Sequence, residues 1–192
     1  MKVLGIVCSP RKGGNTEIMV REALEAAKGD GAETELVLVA GKNISPCDGC
    51  EACGQTGVCH IKDDMQEIYQ QMKLADGIIL GTPVYFANVS AQAKIVMDRT
   101  EAFLRSRALR GKVGGALVVA RRVGAGQVLS MLYTFFAAQR MTIAAGGIGF
   151  GRAKGDVMTG VGGAGGLSAV EEARAVGKSV VWMVDRLARG KG

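Results

Sequence analysis

The sequence predicts an α/β fold, an open parallel β-sheet with helices packed on both faces. Short aliphatic runs alternate with longer segments of helical period along the chain. The short runs are near-continuously apolar, as strands buried on both faces must be. Where several of them end, polar, cationic and glycine residues gather in loops, and ligands bind at such strand ends in an open α/β sheet. The chain has 192 residues, 48% of them hydrophobic and 22% charged. It is therefore expected to form one domain over residues 1–192, neither disordered, fibrous nor disulfide-stapled. Aromatics are only 5%, so the core must be aliphatic.

The first strand is read at residues 3–8 and stops at Ser9-Pro10. It is too short for the apolar region of a signal peptide, which points to a cytoplasmic protein. The other strands are expected at 33–39, 77–81, 113–119 and 142–145, and helices at 15–28, 64–74, 90–105, 127–139 and 168–189. Strands and helices interleave one for one. The apolar stretch from Val128 is interrupted by Gln139 and Arg140, and no run has the roughly 20 residues of a membrane helix. Two segments are too long for plain connectors: residues 40–63, which hold four cysteines, and the glycine-rich 146–166.

The loop after the first strand reads Ser9-Pro10-Arg11-Lys12-Gly13-Gly14-Asn15-Thr16. Hydroxyls, an amide and cations at a helix start suit a phosphate monoester, while the glycines permit close backbone approach. Arg11 can add a forked pair of charge-assisted bonds. The loop lacks the Gly-Lys-Ser/Thr ending of a Walker A motif, so one terminal phosphate fits better than a triphosphate. A polar turn capping the helix is the alternative reading. The loop after the third strand, Thr82-Pro83-Val84-Tyr85-Phe86-Ala87-Asn88-Val89-Ser90, joins a rigid proline to adjacent aromatics and suits a planar heterocycle, or serves as core packing. The next, Ala120-Arg121-Arg122-Val123-Gly124-Ala125-Gly126-Gln127, brings cations and glycines to the same edge.

These loops, with Gln92-Ala93-Lys94 and Met97-Asp98-Arg99, resemble the flavodoxin-like NAD(P)H-dependent FMN reductase superfamily over nearly the whole chain. The resemblance implies a three-layer sandwich with a five-stranded parallel sheet in the order 2-1-3-4-5. It implies FMN, with its phosphate held by Ser9, Arg11, Lys12, Gly13, Gly14, Asn15 and Thr16. The ring would lie against Pro83, Val84, Tyr85, Phe86, Ala87, Asn88, Arg121, Gly124 and Gln127. Ala87-Asn88 replaces the Gly-Ser common in this family, and Ala125 stands between two glycines. Alanine resists positive backbone angles, so a different loop path is expected.

Cys47, Cys50 and Cys53 are spaced two residues apart, and Cys59 follows after five more. One turning loop with such spacing can wrap an iron–sulfur cluster, although four thiols, or three with His60, would also satisfy zinc. Cys8 falls in a buried strand and reads as a core residue. The compact motif after the second strand resembles the iron–sulfur flavoproteins, which implies a [4Fe-4S] cluster on Cys47, Cys50, Cys53 and Cys59 beside FMN.

The leading expectation is an FMN-dependent oxidoreductase that passes electrons between cluster and flavin. The alternative is an NAD(P)H-dependent FMN or quinone reductase with a structural or zinc-binding cysteine loop. A third is a zinc-stabilised binding domain without flavin. No side chain needs to act as a catalytic acid or base. Ferredoxin or NAD(P)H would donate electrons and a small molecule accept them. The net charge of +6 favours anionic partners, and the resemblance implies homodimers or homotetramers. The Gly160-Val161-Gly162-Gly163-Ala164-Gly165 match to a dinucleotide fingerprint follows a loop instead of a strand, which argues against that role. The basic run Arg105, Arg107, Arg110 and Lys112 lacks interleaved aromatics and reads as a solvated connection, not a nucleic-acid site.

Overall fold

The computed structural model describes residues 1–159 and 167–190; the fingerprint match at 160–165 lies outside the described residues. The elements are β1 (Lys2–Val7), α1 (Asn15–Gly29), β2 (Glu33–Leu38), α2 (Ala52–Thr56), α3 (Met65–Leu74), β3 (Gly77–Tyr85) and β4 (Asn88–Val89), followed by α4 (Ala91–Arg99), α5 (Glu101–Leu104), β5 (Val113–Ala120), α6 (Ala125–Ala138), β6 (Thr142–Phe150) and α7 (Ala169–Arg189). Five strands lie parallel in the order β2-β1-β3-β5-β6, and β4 pairs antiparallel with β3. Leaving out that hairpin strand, the order is the expected 2-1-3-4-5.

Side chains alternate across the strands and divide the core into two layers. Val3, Val7, Ile79 and Leu117 pack with Val20 and Leu24 of α1 and with Val176 and Val180 of α7. Leu4, Ile6, Cys8, Leu80 and Val118 face the other way, toward Ile68 of α3, Val96 of α4 and Phe136 of α6. The burial of Cys8 agrees with its reading as a core residue. The two outer helices on the first face meet closely at Gly177, where a Cβ would strike the backbone of Ala23. Among the described residues, no helix is long and apolar enough to cross a membrane.

Several expected boundaries move. The segment 146–166 was expected to be loop from its start, yet β6 continues through Phe150. Its glycines mark close approach rather than irregular chain: a Cβ at Gly146 would collide with Tyr133 of α6, and one at Gly149 would lie 2.5 Å from the Met19 sulfur of α1. Likewise β3 runs on to Tyr85 and turns back through Phe86 and Ala87 into β4. The helix expected over 90–105 breaks at Thr100, whose hydroxyl donates to the Met97 carbonyl at 2.6 Å instead of leaving the backbone undisturbed. Inside the cysteine segment the short helix α2 was not anticipated.

Candidate functional site

The carboxyl ends of β1, β3, β5 and β6 open into a cleft of about 310 Å³. It lies where the strand order reverses between β1 and β3, the position at which open α/β sheets bind ligands. Its walls include Ser9, Arg11, Gly14, Asn15, Thr16, Pro83, Val84, Tyr85 and Arg121. These nine come from the three loops that the sequence singles out. Lys12, Gly13, Phe86, Ala87, Asn88, Gly124 and Gln127 are not among the lining residues.

The first turn of α1 faces an anion-suited space for a local reason. Its N-cap is Gly14, and no side chain caps the helix, so amides of the first turn are not claimed by a cap. The Gly13 N–H is already committed, donating to Glu17 Oε2 at 2.6 Å, and Arg21 Nε donates to Glu17 Oε1 at 2.8 Å. Burial opposes charge on Glu17, but the Gly13 bond and the Arg21 guanidinium outweigh it and hold the carboxyl below its ordinary range. Gly13 has φ +65°, which a side chain would strain.

A second positive segment was missed from sequence because it lies inside the glycine-rich stretch. Gly151, Arg152, Ala153 and Lys154 form the remaining wall of the cleft. Asn15 holds this wall: its Nδ2 donates to the Ala153 carbonyl at 2.8 Å, and its Oδ1 accepts the Gly155 N–H at 2.7 Å. The Asn15 amide is thus a clamp between α1 and the 151–155 loop. Asp156 tightens the same loop by accepting the Ala153 and Arg152 N–H groups at 2.8 and 2.7 Å, bonds that keep its carboxyl ionised below the usual range.

Ser90 fixes the aromatic wall to the first loop. Its hydroxyl donates to the Cys8 carbonyl at 2.5 Å and accepts the Ala93 N–H at 3.1 Å, while its own N–H donates to Thr82 Oγ1 at 3.1 Å. Ala87 takes a positive backbone angle although alanine resists it. Phe86 and Ala87 adopt φ of 51° and 56°, and the fully exposed Phe86 ring stands at the hairpin tip. Ala125 is spared strain because it begins α6, and Gly124 before it carries the positive angle of 87°.

The second site is a cavity of about 530 Å³ whose walls contain Cys47, Cys50, Cys53 and Cys59 together. It shares no lining residue with the cleft. The fifth cysteine, Cys8, lies in the core, and burial pushes its thiol pKa up, which leaves it inert. Burial also raises the Cys53 thiol, and charge on Cys59, Glu101, Cys47 and Cys50 adds to that effect. Asp48, Cys50 and His60 bring their ligand atoms within 4.8 Å of one another; among the described residues no three cysteine sulfurs do. The thiols ring a cavity instead of converging on one point, which suits a cluster better than a single tetrahedral ion. His60 Nε2 and Asp48 Oδ2 are 2.8 Å apart, so the histidine that could stand in for a thiol is engaged with a carboxylate of the same cavity wall.

Arg99 and Arg105 also line this cavity. The basic run is exposed at Arg105, Arg107 and Arg110, as expected of a solvated connection, and two of its members also bind backbone carbonyls. Arg105 donates through Nη1 to the Gly54 carbonyl in α2, and Lys112 Nζ donates to the Lys73 and Ala75 carbonyls at 2.8 and 2.5 Å.

The fold and these two sites define an α/β domain of flavodoxin type with a phosphate-suited cleft and a separate thiol-lined cavity. A family model described as NADPH-dependent FMN reductase matches residues 1–155. An iron–sulfur flavoprotein of Methanocaldococcus jannaschii is 46% identical over 166 residues, covering 81% of this chain and 86% of that protein. An iron–sulfur flavoprotein of Methanosarcina thermophila is 46% identical over 128 residues, covering 66% and 67%. Among solved structures, a flavone reductase superposes with a TM-score of 0.77 at 17% identity, covering 98% of this chain and 64% of that one. A flavodoxin from the domain Archaea gives 0.62 at 14%, covering 96% and 99%; both are likenesses of fold. The chain belongs to the NADPH-dependent FMN reductase family and, within it, to the iron–sulfur flavoproteins.

Proposed function

We propose that this protein is a one-domain, cytoplasmic electron-transfer flavoprotein that holds FMN in the cleft and a [4Fe-4S] cluster on Cys47, Cys50, Cys53 and Cys59. The observation that carries the reading is the gathering of all four loop cysteines around one cavity, while the fifth is sealed in the core. FMN supplies exchange between one- and two-electron steps and the cluster supplies single electrons.

The chain's own residues bind, orient and exclude water. Arg11, Arg121, Arg152 and Lys154 surround the cleft with positive charge, and the amides at the start of α1 receive the phosphate. Pro83, Val84 and Tyr85 form the wall for the ring, with their backbone fixed by pairing to β4 and β5. Arg99 and Arg105 offset the negative charge of four thiolates. Ferredoxin or NAD(P)H is the electron donor in this reading and a small molecule the acceptor, in a homodimer or homotetramer. The net charge of +6 supports an acidic protein donor such as ferredoxin.

The test is the iron, acid-labile sulfide, zinc and flavin content of protein purified without oxygen, with visible spectra before and after dithionite. About four irons per chain together with FMN is the expected result. Zinc, or no metal, with FMN retained would replace this reading with a simple flavin-dependent reductase.

A further inference from the structure

Arg99 is 1% exposed and lies at the end of α4, where it reaches both ends of the cysteine segment. Its Nη1 donates to the Ser45 carbonyl at 2.8 Å, two residues before Cys47, and to Asp63 Oδ2 at 2.6 Å. Its Nη2 donates to Asp63 Oδ1 at 3.1 Å and to the Ile61 carbonyl at 3.4 Å, two residues after Cys59. Asp63 completes the closure by accepting the Ser45 N–H at 2.9 Å. One guanidinium and one carboxylate therefore tie the base of the loop that carries all four thiols.

A guanidinium has five N–H groups. The four on Nη1 and Nη2 are engaged by these bonds, whereas the buried Nε–H has no partner among the described residues. An unpaired N–H in a dry interior is costly and calls for an acceptor. Arg99 lines the thiol cavity. Buried Cys59 lines the same cavity, and the Tyr69 hydroxyl donates to the Arg99 carbonyl at 2.7 Å.

We propose that Arg99 is a positioning residue for the cluster: it closes the cysteine loop through Ser45, Ile61 and Asp63, and its remaining N–H and positive charge favour the reduced cluster. The inference depends on the four-thiol cluster of the preceding subsection. One-electron reduction adds one negative charge to the cluster, with the electron supplied by the donor. A nearby cation raises the potential for that step and a nearby carboxylate lowers it. Arg99 and Asp63 therefore act with opposite signs.

The experiment is a midpoint-potential titration of the cluster, followed by electron paramagnetic resonance, in the wild type, Arg99→Gln, Arg99→Lys and Asp63→Asn. Circular dichroism and FMN content confirm that each variant is folded. Arg99→Gln is expected to weaken reduction about tenfold or more, which is about 59 mV downward for one electron. Arg99→Lys, which keeps the charge and loses the Nε–H, moves less in the same direction, and Asp63→Asn moves upward. Should Arg99→Gln fail to fold, the opposite signs of Arg99→Lys and Asp63→Asn decide. Shifts of one sign in both, unchanged potentials, or equal loss of iron from both with flavin retained would leave Arg99 a strut alone and overturn the proposal. Wild-type protein without iron would instead overturn the cluster reading beneath it.

Discussion

Replacing Asn15 with alanine isolates the clamp that holds the 151–155 loop against α1. The substitution removes two hydrogen bonds, the 2.8 Å bond to the Ala153 carbonyl and the 2.7 Å bond from the Gly155 N–H. At a net value of about 1 kcal/mol each, the loop is weakened by roughly 2 kcal/mol. If the loop must be in place for Arg152 and Lys154 to face the cleft, that energy is taken from flavin binding, and FMN affinity falls about 30-fold. Quenching of flavin fluorescence on titration with apoprotein measures it. Asn15 also lines the cleft at the helix start, so the double variant with Lys154→Ala separates action through the loop from direct contact with the phosphate. Action through the loop makes the two losses less than additive, because the second substitution removes a cation already displaced. Full additivity, or an Asn15→Ala affinity within twofold of wild type, would refute the clamp.

Cys50→Ala is expected to abolish the visible absorption and iron of the cluster and leave FMN bound, since cavity and cleft share no lining residue; joint loss of both cofactors would show that the sites are coupled. Gly177→Val forces a side chain into the Ala23 backbone, an overpacking cost of about 1–3 kcal/mol or more, read as a melting temperature lower by roughly 2–12 °C. For Glu17 the folded pKa lies below the ordinary 4.5, so its contribution is present above the unfolded value and disappears as pH falls through the folded one. Glu17→Gln should lower stability at neutral pH and flatten the loss below pH 4.5, checked by urea unfolding across that range. Ala87→Gly relieves a positive φ of 56° at the cost of a more flexible unfolded chain, for a net gain of about 0.5–1 kcal/mol, and a fall in melting temperature would contradict it.

Much of the architecture was legible because parallel strands buried on both faces read as unbroken apolar runs, which residues 3–8, 77–81 and 113–119 do. The errors have a common origin in residues that erase that signal. Glycines at 146, 147 and 149 removed the hydrophobicity of β6, although each stands where α1, α6 or α7 or a neighbouring strand needs room. With β6 cut short, the loop carrying Arg152 and Lys154 had no strand end to attach to, and its place in the cleft went unseen. Cysteine spacing locates the second site, but Met97-Asp98-Arg99 enters the sequence reading only through the family resemblance, with no link from Arg99 to the cysteines. A signal existed: Ala93, Val96 and Arg99 recur at threefold spacing on one buried face of α4, where an unpaired charge cannot remain.

The hairpin of β3 and β4 shows why a local rule can fail without the fold failing. A two-residue connection of type I′ requires positive φ at both turn positions, and between the Val84–Val89 and Tyr85–Asn88 pairs Phe86 and Ala87 adopt such angles. Neither is glycine, and each carries a cost of about 1–2 kcal/mol. Packing does not offset it at Phe86, whose ring is fully exposed. The balance comes from Ser90, which is buried and bonded to Cys8, Thr82 and Ala93, and from Gly124, whose missing side chain leaves room for the Ala87 backbone. Strain at the tip thus keeps Tyr85 at the wall of the cleft while the neighbouring loop closes beside it, and strain of this kind persists where surrounding contacts over-determine a site.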